Sequence, residues 1–193
     1  MASIEELKEE LKTILDDHRY VHSIGVMESC EKLAKNYNLS EEDTERLMKA
    51  GLMHDMAKYM SADESIKYCK DNGLKVDYIE SVLPALLHGK IAADMCKKKY
   101  GFDNEMCEAI EFHTTGRMNM TIFDKILFCS DKTEERTRDY EDVEHYRDTP
   151  YRDLDESIIE IIDYIIDDAV KNNRVFHELS AQTRNYLLLN RQK

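Results

Sequence analysis

Little in this sequence interrupts a helix. Only two prolines and six glycines are spread over 193 residues, and these are the residues that most often end a helix or a strand. Between them, apolar residues recur every three or four positions. Ile4, Leu7, Leu11, Ile14 and Leu15 keep that spacing behind a Ser3/Glu6 capping box, which predicts a first helix to about Asp17. A second is expected over about 19–37, with Ile24, Val26, Met27, Leu33 and Ala34 at its apolar positions. Ser40 with Asp43 opens a third that ends near Lys58, and Ser61 with Glu64 a fourth that Gly73 closes. Further helices are expected from after Pro84 to about Tyr100, from Asp103 through Phe112, and over about 121–137. The polar stretch 139–151, which contains Pro150, reads as a surface loop, and two closing helices follow over about 153–172 and 176–190. The run IIEIIDYII at 158–166 comes closest to a strand, yet its apolar positions also fit a buried helix stripe. The expected fold class is all-α, a helical bundle.

This length can bury one hydrophobic core without cross-links. An apolar fraction of 42% beside 35% charged residues suits a folded helical protein rather than a disordered one. The formal net charge of −13 argues against a nucleic-acid groove or an anionic membrane surface as partner, since both attract basic patches. A phosphate site on such a chain must gather positive charge locally, and bound metal ions would do so. Cys30, Cys69, Cys96, Cys107 and Cys129 form no CxxC pair and are expected as buried free thiols in a reducing compartment. The start, MASIEELKEELK, lacks the apolar run of a signal peptide. No stretch of about 18 apolar residues occurs, so a cytoplasmic location is expected.

Four of the seven histidines stand beside apolar segments that must face the core: His22 in RYVHSIGV, His54 in AGLMHDMAK, His88 after VLPALL and His113 in AIEFHTTGR. Asp55 follows His54, and Asp131 follows the apolar run ILFCS. Taken singly, each is more simply a hydrogen-bonded core residue or a helix cap; only the set points to a shared site. A buried ionised carboxylate is costly unless it is paired or metal-bound, and imidazole with carboxylate suits zinc, iron or manganese. Adjacent residues diverge by about 100° on an ideal helix, so His54 and Asp55 are expected at a helix end, one on each side of a metal. Asp55 has two oxygens and can bridge. That leaves His22, His54 and Asp131 for one ion and His88 and His113 for the other, with open positions for water and substrate. Lys58, one turn beyond His54, can contact a phosphate or be an ordinary solvated lysine. Thr114, Thr115 and Gly116 offer hydroxyls and a flexible backbone, and Arg117 a fork of donors, although the same stretch can be a plain glycine turn. Arg19 shares the helix face of His22. His18, His145 and His177 sit among polar neighbours and are expected at the surface.

The order H…HD…H…H…D resembles the HD superfamily of helical metal-dependent phosphohydrolases. The blocks RYVHSIGV, AGLMHDMAK, LLHGKIAADM, AIEFHTTGRMNM and ILFCSDKTEE resemble more closely those of the YqeK family, bacterial HD proteins that hydrolyse diadenosine tetraphosphate symmetrically into two ADP. HTTGR is the most specific of them, and the resemblance runs from about Asp17 to Asp155. It implies a single HD domain over 1–193, with a metal-site core at about 17–139 and closing C-terminal helices at about 153–190. It implies two divalent or trivalent transition-metal ions on His22, His54, Asp55, His88, His113 and Asp131, iron favoured, with manganese, cobalt or zinc as alternatives. Such a pair neutralises phosphate charge and activates a hydroxide. The implied catalytic residues are Asp55 and Lys58; the implied substrate contacts are Arg19, Lys58, Thr114, Thr115, Gly116, Arg117, Glu134 and Arg138. The implied partner is a dinucleoside polyphosphate, and a homodimer is left open. The chain departs from the family where ADYIEP with a nearby arginine is usual: Ser130 replaces the alanine, Glu135 stands in place of the proline, and the arginine falls at Arg136 or Arg138 instead of the position of Thr137. Other HD chemistries remain as alternatives: hydrolysis of a nucleoside monophosphate, a cyclic nucleotide or (p)ppGpp, and di-iron oxygenation.

Overall fold

The computed structural model describes residues 2–140 and 143–191, and every regular element among them is helical. Helix α1 (Ile4–Ile14) starts on the Ser3/Glu6 capping box and buries Leu7 and Leu11 against α3 (Glu41–Met53). It ends earlier than expected because Asp16 is the N-cap of the next helix, accepting from the Arg19 N–H at 2.9 Å. That helix, α2 (Asp17–Asn36), packs along α3. Ser61 and Glu64 open α4 (Ala62–Asp71), and Gly73 follows with a φ of 68°. Helix α6 (Leu87–Tyr100), α7 (Asn104–Phe112) and α8 (Ile122–Thr133) continue the bundle, α7 between α6 and α8. Helix α8 is buried on most of its faces, with Phe123, Ile126, Leu127 and Phe128 in the core. The C-terminal α10 (Leu154–Lys171) lies on α8, and α11 (Glu178–Arg191) lies on α10. The isoleucine run is helical: Ile158, Ile159, Ile161 and Ile162 are buried, at the helical spacing that one face requires. All five cysteines are buried free thiols.

Several expectations are corrected. Between Gly73 and Pro84, where no element was expected, lies a short α5 (Tyr78–Val82), and a 3-10 turn at Pro84–Leu86 follows it before α6. The helix predicted to Thr137 stops at Thr133, and the chain turns back towards α2. The expected surface loop over 139–151 is largely ordered as α9 (Val143–Asp148) and a 3-10 turn at Thr149–Tyr151, with Val143, Thr149 and Pro150 buried; residues 141–142 lie outside the described residues. What anchors it is Arg147, which donates to the carbonyls of Thr133, Glu134 and Arg138 at 3.1, 3.2 and 2.6 Å. A polar composition conceals a side chain that caps backbone from another segment. His177, expected at the surface, is only 6% exposed. Its Nδ1 accepts the Leu179 N–H and its Nε2 donates to Asp77 Oδ2 at 2.8 Å, pinning the start of α11 to the cap of α5.

Gly89 lets α6 and α7 approach. A Cβ there would stand 2.9 Å from the Glu111 carbonyl oxygen and 3.0 Å from that of Ile110. Gly89→Ala therefore forces the two helices apart where His88 and His113 meet. Overpacking of this kind costs about 1–3 kcal/mol, which at about 2–4 °C per kcal/mol lowers the melting temperature by roughly 2–12 °C. A thermal melt and a metal analysis of the variant check this; values equal to the parent's would contradict the close approach.

Candidate metal centre

Five helices deliver six side chains to one buried point. His22 comes from α2, His54 and Asp55 from the turn after α3, His88 from the first turn of α6, His113 from the residue after α7, and Asp131 from α8. None of the six is more than 6% exposed. The third helix stops at Met53, not near Lys58, and tight three-residue turns follow: the Met56 N–H bonds the Met53 carbonyl at 3.1 Å and the Lys58 N–H that of Asp55 at 2.9 Å. Leaving the helical ladder is what lets His54 and Asp55 face the same cluster.

The local backbone sets the tautomers. His54 Nδ1 donates to the Gly51 carbonyl at 2.7 Å, His88 Nδ1 to that of Ala85 at 2.5 Å and His113 Nδ1 to that of Ile110 at 2.7 Å. Each bond reaches back three residues within the histidine's own turn. Each imidazole thus carries a proton on Nδ1 and turns its Nε2 inward, the arrangement that orients metal-binding histidines. Burial would lower His54, but the Asp55 and Asp131 carboxylates outweigh it and raise it to about 9. His22 is held from a distance instead. Its Nδ1 faces Glu134 Oε1 at 3.1 Å and Thr137 Oγ1 at 3.2 Å, and its Nε2 faces Asp131 Oδ1 at 3.0 Å. Glu134 fits because Gly25 has no side chain: a Cβ there would lie 2.2 Å from Glu134 Oε2. Burial would raise the Glu134 carboxyl, but hydrogen bonds from His22, Thr137 and the Arg136 N–H outweigh it and hold it at about 2. Glu134, expected to touch substrate, stands behind His22 and orients it.

Asp55 divides its oxygens between two pairs of imidazoles. Oδ2 lies 3.3 Å from His54 Nε2 and 3.7 Å from His22 Nε2; Oδ1 lies 3.2 Å from His88 Nε2 and 3.5 Å from His113 Nε2. Asp131 Oδ1 joins the first pair, 3.6 Å from His54 Nε2. Burial raises both carboxyls, yet the imidazoles around Asp55 and the Lys132 ammonium beside Asp131 outweigh it, and both are held well below the ordinary range. Burial likewise lowers His113 to about 3, leaving its imidazole neutral.

These donors fit a bound cation. His88 Nε2 and His113 Nε2 face each other at 3.1 Å with both ring protons already placed on Nδ1, so two lone pairs point at one another. His54 Nε2 and Asp55 Oδ1 are buried without a hydrogen-bond partner, a costly arrangement unless something positive lies between them. His22, His54 and Asp55 offer ligand atoms within 4.8 Å of one another, as do Asp55, His88 and His113, and His54, His113 and Asp131. A further gathering, Asp77, Glu80 and His177, is closed by its own bonds: Glu80 takes Lys90 on both oxygens at 2.7 Å, and His177 has both ring nitrogens engaged.

Cations ring the cluster. Lys58 Nζ is 2.6 Å from Asp55 Oδ2. Arg138 Nη2 is 2.7 Å from Asp131 Oδ1 and 3.4 Å from His22 Nε2. Lys132, not among the expected site residues, pairs with Asp131 Oδ2; its position directly after Asp131 is all that marks it in the sequence. Of the two candidate arginines, Arg138 reaches the cluster, while Arg136 pairs with Glu28 at 2.7 Å. Arg19, one turn before His22, pairs with Asp16 at 3.4 Å. Arg117 is committed elsewhere, to Asp124 at 2.7 Å and Glu108 at 2.8 Å; there it fastens the loop that carries Thr114, Thr115 and Gly116. Thr115 is buried and Gly116 lies against Thr183, with a φ of 68°.

The HD domain family matches residues 19–166, a span that holds all six clustered residues. A symmetrical bis(5'-nucleosyl)-tetraphosphatase of Halalkalibacterium halodurans is 33% identical over 180 residues, covering 93% of this chain and 94% of that protein. The chain belongs to the YqeK family of HD proteins. A protein of the same name from Staphylococcus aureus is 35% identical over 162 residues, covering 82% of this chain and 81% of its own. The fold is shared with the crystal structure of a predicted HD superfamily hydrolase involved in NAD metabolism from Clostridium acetobutylicum, at 32% identity and a TM-score of 0.93, covering 98% of this chain and 99% of that one. As an HD hydrolase, the chain has the ligand-type atoms for divalent metal gathered in this one cluster. Among the described residues no helix is long and apolar enough to cross a membrane.

Proposed function

We propose that this protein hydrolyses dinucleoside polyphosphates, cutting diadenosine tetraphosphate symmetrically into two ADP at a dinuclear centre. In this reading His22, His54, Asp55 and Asp131 hold one ion, and Asp55, His88 and His113 the other. The observation that carries it is the divided carboxylate of Asp55, one oxygen towards each pair of imidazoles. The names of the similar tetraphosphatases support the substrate. When bound, such a pair of ions neutralises polyphosphate charge and lowers the pKa of a water towards neutrality. The mix of four imidazoles and two carboxylates admits iron, manganese, cobalt and zinc; the family resemblance favours iron.

The chain's own groups bind and orient the phosphates. On a protein of net charge −13, a polyanion is drawn only to where cations concentrate. Lys58 is one-third exposed and touches Asp55, so it can take a phosphate oxygen from the solvent side while staying beside the reacting centre. Arg138 and Lys132 do the same against Asp131. Arg138 presents a planar fork suited to two oxygens of one phosphate. The Thr114 hydroxyl and the Gly116 backbone contribute at the loop, and Arg19 from the helix that carries His22.

Chromatography of the products tests the reading. Two ADP and no ATP is the expected result, and added ADP should inhibit as the retained half. ATP with AMP would refute the symmetric cut. No cleavage, with release of phosphate from a nucleoside monophosphate, would replace the substrate altogether.

A further inference from the structure

Beside the metal centre lies a cleft of about 230 Å³ whose lining changes character from one end to the other. At the inner end are Lys132 and Arg138, both of which contact Asp131. The remaining wall is aromatic and aliphatic: Tyr140, Tyr146 and Tyr164, with Ile161 beneath. Tyr140 and Tyr164 lie nearly parallel, 26° between planes and 5.7 Å between centroids. Tyr146 leans on both, at 6.0 Å and 40° from Tyr140 and 5.9 Å and 58° from Tyr164. The Tyr140 hydroxyl donates to the Lys132 carbonyl at 3.0 Å, which ties the aromatic wall to the residue after Asp131. Tyr164 is 43% exposed, so solvent reaches its ring. A cleft this size falls below the roughly 300–1,000 Å³ that encloses a whole drug-sized ligand and suits one ring system.

We infer that this tyrosine-lined cleft is the nucleobase subsite, which stacks one purine of the substrate while Lys132 and Arg138 receive the phosphates between it and the metal centre. The inference rests on the nucleotide reading above. The order of chemistry along the cleft, cations and then aromatic faces, is the order of a nucleotide from phosphate to base. Aromatic side chains are the usual platform for a base, because every base has a π-face to offer them. An apolar peptide would have no use for the paired cations at the inner end, and a cleft of this size is too small for an acyl chain pair. Base recognition here comes from stacking, so the cleft should tolerate different purines.

The test compares a ligand that has a base with one that lacks it. Calorimetry on the protein with its metal measures ADP and inorganic pyrophosphate. Tyr164→Ala is expected to weaken ADP about 10-fold, within the range of a lost base–aromatic stack, and to leave pyrophosphate unchanged. Tyr164→Phe keeps the ring and should keep ADP affinity. Unchanged ADP affinity in Tyr164→Ala, or an equal loss for both ligands, would overturn the subsite. Cleavage of diadenosine tetraphosphate by the parent protein is measured in parallel. If the parent binds ADP through Tyr164 but does not cleave that substrate, the subsite stands and the proposed reaction falls.

Discussion

Asp55→Asn is expected to lower kcat/KM for diadenosine tetraphosphate by more than about 10³-fold, beyond the loss from deleting a single transition-state hydrogen-bond donor. The amide keeps the shape of the carboxylate but only one oxygen, and it puts N–H groups against one pair of imidazoles. His54 and His22 face Oδ2 at 3.3 and 3.7 Å, and His88 and His113 face Oδ1 at 3.2 and 3.5 Å. Whichever pair meets the amide nitrogen loses its anionic partner. Elemental analysis should fall from near two transition-metal ions per chain to one or fewer, while circular dichroism keeps the helical signal. Near-normal turnover with two ions bound would show that Asp55 does not bridge.

Stripping the metal has the other large effect. A chelator should abolish hydrolysis, and iron(II), manganese, cobalt or zinc should each restore some of it. Magnesium alone should not, because it prefers oxygen ligands and keeps its waters, whereas this cluster offers four imidazoles. The melting temperature should fall as well. A ligand present at about 1,000 times its Kd stabilises by about 4 kcal/mol, which corresponds to roughly 8–16 °C for a domain of this size. The structural reason is the pair of lone pairs at 3.1 Å between His88 and His113, together with the unpartnered Asp55 Oδ1. Full activity in chelator-treated protein whose metal content is shown to be negligible would remove metal from the mechanism.

The all-α class and most of the helix starts were legible in the sequence, since the rules behind them are local. Ser3, Ser40 and Ser61 each cap their helix as the acid three positions on predicts, and Asp103 caps its helix as its residue type predicts. The isoleucine stripe of α10 follows from a period that needs no knowledge of what it packs against. The six residues of the cluster were legible as a set, because His and Asp beside apolar runs are seldom left without a partner in a core.

Only the tertiary structure decided the rest. Arg136 and Arg138 look alike in the sequence, but one pairs with Glu28 on α2 and the other with Asp131. Glu134 resembles a substrate contact until His22, 112 positions away, is seen to take its carboxylate. His177 has polar neighbours in sequence and a buried partner, Asp77, 100 positions away. Tyr140, Tyr146 and Tyr164 form one wall only because the segment after α8 folds back across α10. Helical period and capping act among residues a few positions apart, so neighbouring residues reveal them. The partner of an ionisable or aromatic side chain is set by which helices pack together, and for Glu134, Arg136 and His177 that partner lies a hundred positions or more away.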